Sequence, residues 1–198
     1  MNTALILEAV GRHIELSQKE MEFFISLLQE KKLKKRQFFL HENEVCKYSA
    51  FVIKGCLRSY IIDRNGFEHI LQFAPPGWWI ADMASVVSGL PGKLNIDALE
   101  ESDVLLFGRE DQQTLFKKVP KFERFFRIIT ENSVVAANNR LLDYMSLSAQ
   151  QRYDLFCKRY PTLMQTLPQK QIASYIGVTP EFLSKMKSEL LRQKKKAA

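Results

Sequence analysis

The sequence is poor in the residues that form disulfide frameworks and metal centres. Its 198 residues hold three cysteines, an odd number without a CxxC pair, and three isolated histidines. Disulfide scaffolds, zinc sites and iron–sulfur clusters all need cysteine or histidine at closer spacing. The sequence also has no HxH, GxSxG or HExxH motif and no glycine-rich phosphate loop, the signatures of several enzyme classes. We therefore expect no metal cofactor and no enzymatic activity.

Long hydrophobic runs are absent as well. No segment approaches the roughly 18 consecutive apolar residues of a membrane-spanning helix. The first residues have no basic start leading into an apolar stretch, as a secretory signal would have. These absences predict a soluble, cytoplasmic protein without a membrane partner.

Charge is plentiful but unevenly distributed. Residues 1–150 hold 19 basic and 19 acidic side chains, whereas residues 151–198 hold ten basic and three acidic ones, which is the whole net charge of +7. Clustered cations displace condensed counterions from nucleic-acid phosphates. The C-terminal quarter is therefore a candidate nucleic-acid interface, with a lysine-rich solvated face as the alternative.

The N-terminal part predicts helix and then strands. Ser17 and Glu20 form a capping-box pattern, which predicts a helix from about Gln18 to Glu30. Between residues 35 and 107, short runs rich in Val, Ile, Phe and Tyr alternate with turn residues, typical of an antiparallel sandwich or barrel. The segment 63–66 (DRNG) predicts a hairpin turn.

After Pro120 the chain continues for about 25 residues without glycine or a further proline, which predicts one long helix. A first stripe at spacings of three and four is formed by Phe125, Ile128, Asn132, Val135, Asn139 and Leu142. A second stripe holds Phe122, Phe126, Ile129, Ala137, Leu141 and Tyr144. Two stripes favour a helix that meets a second helix in a dimer, with the two asparagines fixing register. Burial within the monomer is the alternative.

The last part predicts a helix near Ala149–Arg159 and then a helix-turn-helix in the segment KQIASYIGVTPEFLSKM. Ala173 allows close helix crossing, and Gly177 supplies left-handed geometry in the turn. The contact positions are apolar: Ile172, Ile176, Val178, Leu183 and Met186. Thr166 with Gln169, and Thr179 with Pro180, predict the starts of the two helices.

If the second helix of this pair enters the major groove, its outward N-terminal residues meet base edges. These residues are Pro180, Glu181, Ser184 and Lys185, and Thr179 at the start of the helix is also counted among the DNA-binding residues. Phosphate contacts are assigned to Gln169, Lys170, Lys187, Arg192 and the run Lys194–Lys196.

The order of these parts resembles the Crp/Fnr (catabolite-activator) superfamily of bacterial transcription regulators. The resemblance rests on KQIASYIGVTPEFLSKMKSEL, FVIKGCLRSYIID and PPGWWIADMASVV. It implies an α+β fold with an antiparallel, jelly-roll-like β-roll of the cyclic-nucleotide-binding type over residues 1–119. It also implies a dimerisation helix over residues 120–146. A helix-turn-helix domain with a reduced or absent wing would follow over residues 147–198. The implied function is a homodimeric regulator of transcription, with inverted-repeat double-stranded DNA and RNA polymerase as partners.

The sequence departs from the family where cyclic nucleotides bind. Ala81 and Asp82 stand where a Gly-Glu pair is expected, and Gly92 and Lys93 where an Arg-Ser/Thr pair is expected. Because the arginine fork for the cyclic phosphate is missing, cAMP is not expected as an effector. Another small-molecule effector remains open, with a candidate pocket of Trp79, Asp82, Met83, Ala84, Lys93 and Leu94. The competing hypothesis is a degenerate module that acts through protein contacts without binding specific DNA.

Overall fold

The computed structural model describes residues 2–197, with side chains through Arg192. The chain divides into two compact units. The first unit comprises Met1–Ile61 and Leu71–Asn132, and the second comprises Ile62–Ile70 and Ser133–Ala198. Each unit is described in turn.

The first unit is built from strands and short helices. Its helices are α1 (Ala4–Gly11), α2 (Gln18–Ser26), α3 (Met83–Ser88), α4 (Arg109–Lys118) and the first part of α5 (Lys121–Ser146). The strands are β1 (Gln29–Leu33), β2 (Phe38–Leu40), β3 (Tyr48–Lys54), β4 (Leu57–Ile62), β5 (Glu68–Ala74), β6 (Trp79–Ile80), β7 (Asn95–Ala98) and β8 (Ser102–Gly108). The strands β4 and β5 run into the Ile62–Ile70 segment of the second unit.

The strands form two four-stranded sheets, ordered β1-β8-β3-β6 and β2-β7-β4-β5. The registered pairs of strands are antiparallel. Alternate side chains from both sheets form one apolar core, which includes Ala50, Val52, Leu57, Ile96 and Val104. The predicted antiparallel β-roll is confirmed.

Helices cover the other face of the first sheet. Phe51 and Phe107 project from this face into a second core, where they meet Phe24 of α2 and Phe122 and Phe125 of α5. The rings of Phe24 and Phe122 lie 4.7 Å apart, centroid to centroid. Helix α1 also contributes to this core, although the sequence analysis did not predict it.

The capping box at the start of α2 is confirmed, since the Ser17 and Glu20 side chains each bond the other's backbone N–H. Hydrogen bonds from Lys121 and Ser17 lower the pKa of Glu20 to about 2. The predicted end of this helix at Glu30 is wrong. The helix ends at Ser26, and Glu30 pairs with Leu105 in an antiparallel ladder. Pairing with a distant strand overrides the local helical pattern here.

The second unit begins with the hairpin that joins β4 and β5. The predicted turn is confirmed, because the Gly66 N–H donates to the Asp63 carbonyl at 2.9 Å and Gly66 has a φ of +81°. The Asp63 carboxylate accepts the N–H groups of Asn65 and Phe67. This segment, Ile62–Ile70, is called the hairpin below.

The rest of the second unit is helical: the second half of α5, then α6 (Ala149–Arg159), α7 (Leu163–Thr166), α8 (Gln169–Ile176) and α9 (Pro180–Ala197). The long helix α5 and the bounds of α6 agree with the predictions. The predicted cap at Thr166 is wrong, since Thr166 ends α7 and its hydroxyl donates to the Leu163 carbonyl. Pro168 occupies the N-cap position of α8 instead. Within the described residues, no helix is long and apolar enough to cross a membrane.

Candidate nucleic-acid interface

Helices α8 and α9 form the predicted helix-turn-helix. Ile172, Ala173 and Ile176 of α8 are buried together with Leu183 and Met186 of α9. These are the positions at which the spacing argument required apolar or small side chains. Val178 in the turn is half-buried. The two helices therefore share a small apolar core.

Gly177 provides the turn between the two helices. It adopts the left-handed conformation, with φ +72° and ψ +46°, and caps the C-terminus of α8. The Val178 N–H donates back to the Ala173 carbonyl at 3.0 Å, which satisfies a carbonyl at the helix end. A Cβ at position 177 would overlap the hydroxyl and ring of Tyr144 on α5. The left-handed backbone conformation favours glycine, and a side chain here would also have to displace the half-exposed ring of Tyr144.

We expect Gly177→Ala to destabilise the second unit by about 3 kcal/mol, from left-handed strain of about 1–2 kcal/mol and overpacking against Tyr144. The matched control is Gly89→Ala, because Gly89 caps α3 with the same φ of +72° but has open space around its Cβ position. Amide hydrogen exchange measures the loss of stability, in α8 and α9 for Gly177→Ala and in α3 for Gly89→Ala. Equal costs for the two variants would contradict the proposed contact with Tyr144.

The start of α9 is built as predicted. The Thr179 hydroxyl accepts the Phe182 N–H at 3.2 Å, and Pro180 occupies the first helical position. Glu181 lies in the first turn, where a carboxylate complements the helix dipole. Because the Thr179 hydroxyl caps the helix, Thr179 serves the site mainly by setting where α9 begins.

The outward face of α9 is polar and exposed. Leu183 and Met186 are buried, so the opposite side of the helix presents a stripe at spacings of four and three. This stripe is Glu181, Lys185, Ser188 and Arg192, with Ser184 beside it, and all five are exposed. Ser188 was not among the predicted residues, nor was Phe182, whose ring is half exposed in the first turn.

The residues predicted to contact phosphates differ in their exposure to solvent. Gln169 and Lys170 are exposed at the start of α8. Lys187 is half-buried, with its ammonium 5.8 Å from the ring centroid of Tyr153 on α6. The run Lys194–Lys196 lies outside the residues whose side chains the structure describes. Arg192 belongs to the outward stripe of α9.

Two arginines that the sequence analysis did not assign hold the C-terminal end of α8. Arg152 donates to the carbonyls of Ile176 and Leu147 at 2.8 and 2.7 Å. Arg140 on α5 donates to the Tyr175 carbonyl at 3.1 Å and lies 4.1 Å from the Tyr175 ring centroid. Burial lowers the pKa of Arg140. Charged donors at a helix C-terminus are stabilising, so both arginines fix α8 against its neighbours in the second unit.

The predicted dimer residues lie along the whole of α5. Phe125 is buried in the first unit and Ile128 is half-buried, whereas Asn132, Val135, Asn139 and Leu142 are exposed. The exposed apolar side chains of the second half also include Val134, Leu141 and Met145. Val134 and Met145 belong to neither predicted stripe. The half-buried residues of this half, such as Ala136 and Arg140, lie on the other side of the helix.

In the first unit, Asp82 is engaged in local structure. It caps α3 by accepting the Ser85 N–H at 3.1 Å. Its second oxygen accepts the N–H groups of Lys93 and Leu94 at 3.0 and 3.1 Å. A side chain at Gly92 would overlap this carboxylate. The segment therefore closes on itself around Asp82, which is buried.

Apart from the backbone N–H groups of Lys93 and Leu94, the other candidate pocket residues do not converge on Asp82. Trp79 packs against Phe51 and Phe126, with ring centroids 5.2 and 6.0 Å away. Leu94 lies against the β-roll core, and the remaining three are exposed: Met83, Ala84 and Lys93. With the carboxylate saturated and no arginine at positions 92 and 93, these residues do not fit a cyclic phosphate.

The cysteines and histidines form no site in the described part of the chain, where no cluster of three or more His, Cys, Asp or Glu could hold a metal. Burial, and then the charge of Glu100, raise the pKa of Cys56 to about 12. Burial likewise raises the pKa of Cys46. Both buried thiols are thus neutral packing groups near neutral pH.

Comparison with known proteins agrees with this geometry. Residues 30–119 match the family model of the cyclic nucleotide-binding domain. FixK2 from Bradyrhizobium japonicum superposes with a TM-score of 0.70 at 22% identity, covering 84% of this chain and 85% of that chain. A protein from Eubacterium rectale assigned to the crp/fnr family of transcriptional regulators superposes with a TM-score of 0.71 at 16% identity. The match covers 90% of this chain and 85% of that chain. The chain has the Crp/Fnr fold.

The catabolite activator protein of Thermus thermophilus is a further structural match, with a TM-score of 0.57 at 18% identity over 90% of this chain and 85% of that chain. No curated protein gives a significant match. The Crp/Fnr fold confirms the resemblance inferred from the sequence and the predicted α+β architecture. At these identities the matches establish the fold alone.

Proposed function

We propose that the protein is a homodimeric transcription regulator that binds specific double-stranded DNA. The observation that carries the proposal is the helix-turn-helix itself, whose second helix presents Glu181, Ser184 and Lys185 to solvent. These side chains have the chemistry of base readout, since Glu accepts from cytosine N4 and Lys donates to guanine. The surplus of basic residues after position 150 supplies attraction to phosphates.

The exposed apolar face of α5 supports a dimer. Five large apolar side chains within twelve residues are each more than half exposed: Val134, Val135, Leu141, Leu142 and Met145. These side chains lie on one side of the helix, with the exposed Asn138 among them, and an apolar face of this kind on one helix indicates a missing partner helix. Asn139 lies beside this face and would fix the register of two copies. A second copy of α5 is the occupant we propose.

The structural relatives support regulation over catalysis, because the names of several describe regulators or activators. The regulator CLP of Xanthomonas campestris, which has a similar fold, is described as responsive to c-di-GMP. For this chain we propose that any effector is not a cyclic mononucleotide, since Asp82 is saturated by backbone N–H groups. Added cAMP should leave the DNA affinity unchanged. RNA polymerase as a further partner stays a prediction.

Salt-dependent binding tests the proposal. A dimer that contacts six or more phosphates should lose about a thousandfold in affinity for duplex DNA between about 50 and about 200 mM salt. Fluorescence anisotropy with a labelled duplex measures this slope. No binding at the lower salt concentration would favour the competing module that acts through protein contacts alone.

Lys185 and Lys170 give a matched pair of variants within the same motif. Lys185→Ala should relax base preference at one operator position, by about 1–3 kcal/mol, because Lys185 lies on the outward stripe of α9. Lys170→Ala should weaken binding to all sequences equally, since Lys170 lies at the exposed start of α8. Affinities for a set of single-base operator variants distinguish the two. If Lys185→Ala lowers affinity equally for all operator variants, Lys185 does not read a base.

A further inference from the structure

The hairpin Ile62–Ile70 belongs to the same compact unit as the helix-turn-helix. Its second strand, β5, lies at the edge of the sheet β2-β7-β4-β5. An edge strand presents backbone N–H and C=O groups that need partners outside the sheet. In this chain, side chains of α8 and α5 supply such partners.

Ser174 of α8 binds the backbone of β5 twice. Its hydroxyl accepts the Ile70 N–H at 3.0 Å and donates to the Glu68 carbonyl at 2.6 Å. Residues 68 and 70 point their backbone groups to the same side of the strand. A single hydroxyl therefore satisfies one donor and one acceptor of the strand edge, and it does so from the last turn of α8.

Arg140 completes the same contact from α5. Its guanidinium donates to the Ile70 carbonyl at 2.5 Å and also to the Tyr175 carbonyl of α8. The Ile70 N–H and carbonyl are thus both held, one by Ser174 and the other by Arg140. The turn of the hairpin has its own hydrogen bonds, since the Asp63 carboxylate accepts two N–H groups and contacts His69 at 2.8 Å.

We propose that Ser174 and Arg140 are positioning residues for DNA binding, which hold α8 on the edge of β5 and thereby set the position of α9. This inference rests on the proposed DNA-binding function. Helix α9 moves with α8 because the two helices are in contact, with Ile172 and Leu183 both buried, and because Gly177 fixes the turn between them. A shift of β5 would therefore move the DNA-contacting stripe. Preorganisation of this kind raises affinity by lowering the ordering cost of binding.

Ser174→Ala tests the inference, because alanine keeps α8 helical and removes both hydroxyl contacts. The probe is a duplex of about 30 base pairs, roughly three helical turns, selected by the wild-type protein from a random-sequence library. We expect the Ile70 amide to exchange about tenfold faster. Affinity for the probe should fall about fivefold, with the salt slope unchanged. Ser26→Ala is the control, since the Ser26 hydroxyl bonds the Phe23 carbonyl of its own helix.

Arg140→Lys should also lower affinity for the duplex probe, because lysine lacks the planar guanidinium that bridges the carbonyls of Ile70 and Tyr175. Its control is Arg127→Lys, an exposed arginine of α5 paired with Glu131 one turn away. The inference is overturned if Ile70 keeps its protection in Ser174→Ala, or if that protection is lost while affinity stays within twofold of wild type. If the wild-type protein selects no duplex at all, the DNA-binding function itself is contradicted and this inference with it.

Discussion

Leu142→Glu is expected to convert the protein from a dimer to a monomer and to reduce affinity for an inverted-repeat duplex by at least about a hundredfold. Leu142 is 60% exposed on the apolar face of α5, beside Leu141. In a dimer, two copies of the new carboxylate would lie close to the twofold axis in an apolar seam. Burial of unpaired like charges there is strongly unfavourable.

The loss of affinity follows from symmetry. A dimer binds two half-sites at once, so the second contact is intramolecular and gains from high effective concentration. A monomer with an intact α9 keeps only one half-site. Sedimentation equilibrium gives the mass, and anisotropy on full and half operators gives both affinities. The half-operator affinity should be almost unchanged.

Leu90→Glu is the matched control, because Leu90 is 65% exposed but lies in the first unit, after α3. It should change neither the mass nor the affinity. A Leu142→Glu protein that remains dimeric and binds the full operator as tightly as wild type would exclude this face of α5 as the dimer interface.

Asp97→Ala should destabilise the β-roll by about 3–5 kcal/mol, since it leaves the Arg58 guanidinium buried without its carboxylate. Arg58 Nε donates to Asp97 Oδ1 at 2.7 Å, and Nη2 donates to Oδ2 at 3.0 Å. Both residues are more than 90% buried. The guanidinium also lies 4.3 Å from the ring centroid of Tyr60. Denaturant unfolding monitored in the first unit measures the loss.

A double variant tests whether the stability lost in Asp97→Ala comes from leaving one charge buried without its partner. Arg58→Met with Asp97→Leu should recover most of the stability lost in Asp97→Ala, because no charge then remains buried. The control is Glu131→Ala, which removes an exposed pair with Arg127 on α5 and should cost less than about 0.5 kcal/mol. Similar small losses for Asp97→Ala and Glu131→Ala would show that the buried pair has no special role.

The elements predicted correctly from the sequence are those with local causes. The capping box of Ser17 and Glu20, the turn at Gly66, and the start of α9 at Thr179 depend on residues within four positions of one another. Helix α5 was predicted because about 25 residues lack any breaker. Such features are determined by the chain next to them, and pattern reasoning is suited to them.

The two errors have different causes. The segment from Gln29 to Leu33 reads as the end of a helix, but it pairs with β8, which lies some seventy residues further along the chain. Thr166 fits a helix cap by sequence, yet the short helix α7 ends there and Pro168 begins α8. The pairing with β8 leaves no mark in the local sequence, whereas the contacts of Thr166 and Pro168 are local.

Parts of the site were missed, like the pairing with β8, because the contacts join residues that are distant in the sequence. Ser174 contacts a strand about one hundred residues away, and Arg140 contacts the same strand across seventy positions. On α5, the predicted stripe contained Val135 and Leu142 but not Val134 or Met145. The face left free depends on which side of the helix α6 and α8 cover, and periodicity alone does not determine that.

The most direct test of DNA-binding regulation is selection by the wild-type protein from a random-sequence duplex library, followed by sequencing of the bound fragments. The account predicts enrichment of an inverted repeat, with half-site centres about one helical turn, or 10–10.5 base pairs, apart. Lys185→Ala should select the same repeat with one base position relaxed in each half. Fragments without any shared sequence, or with a single unrepeated half-site, would contradict the account.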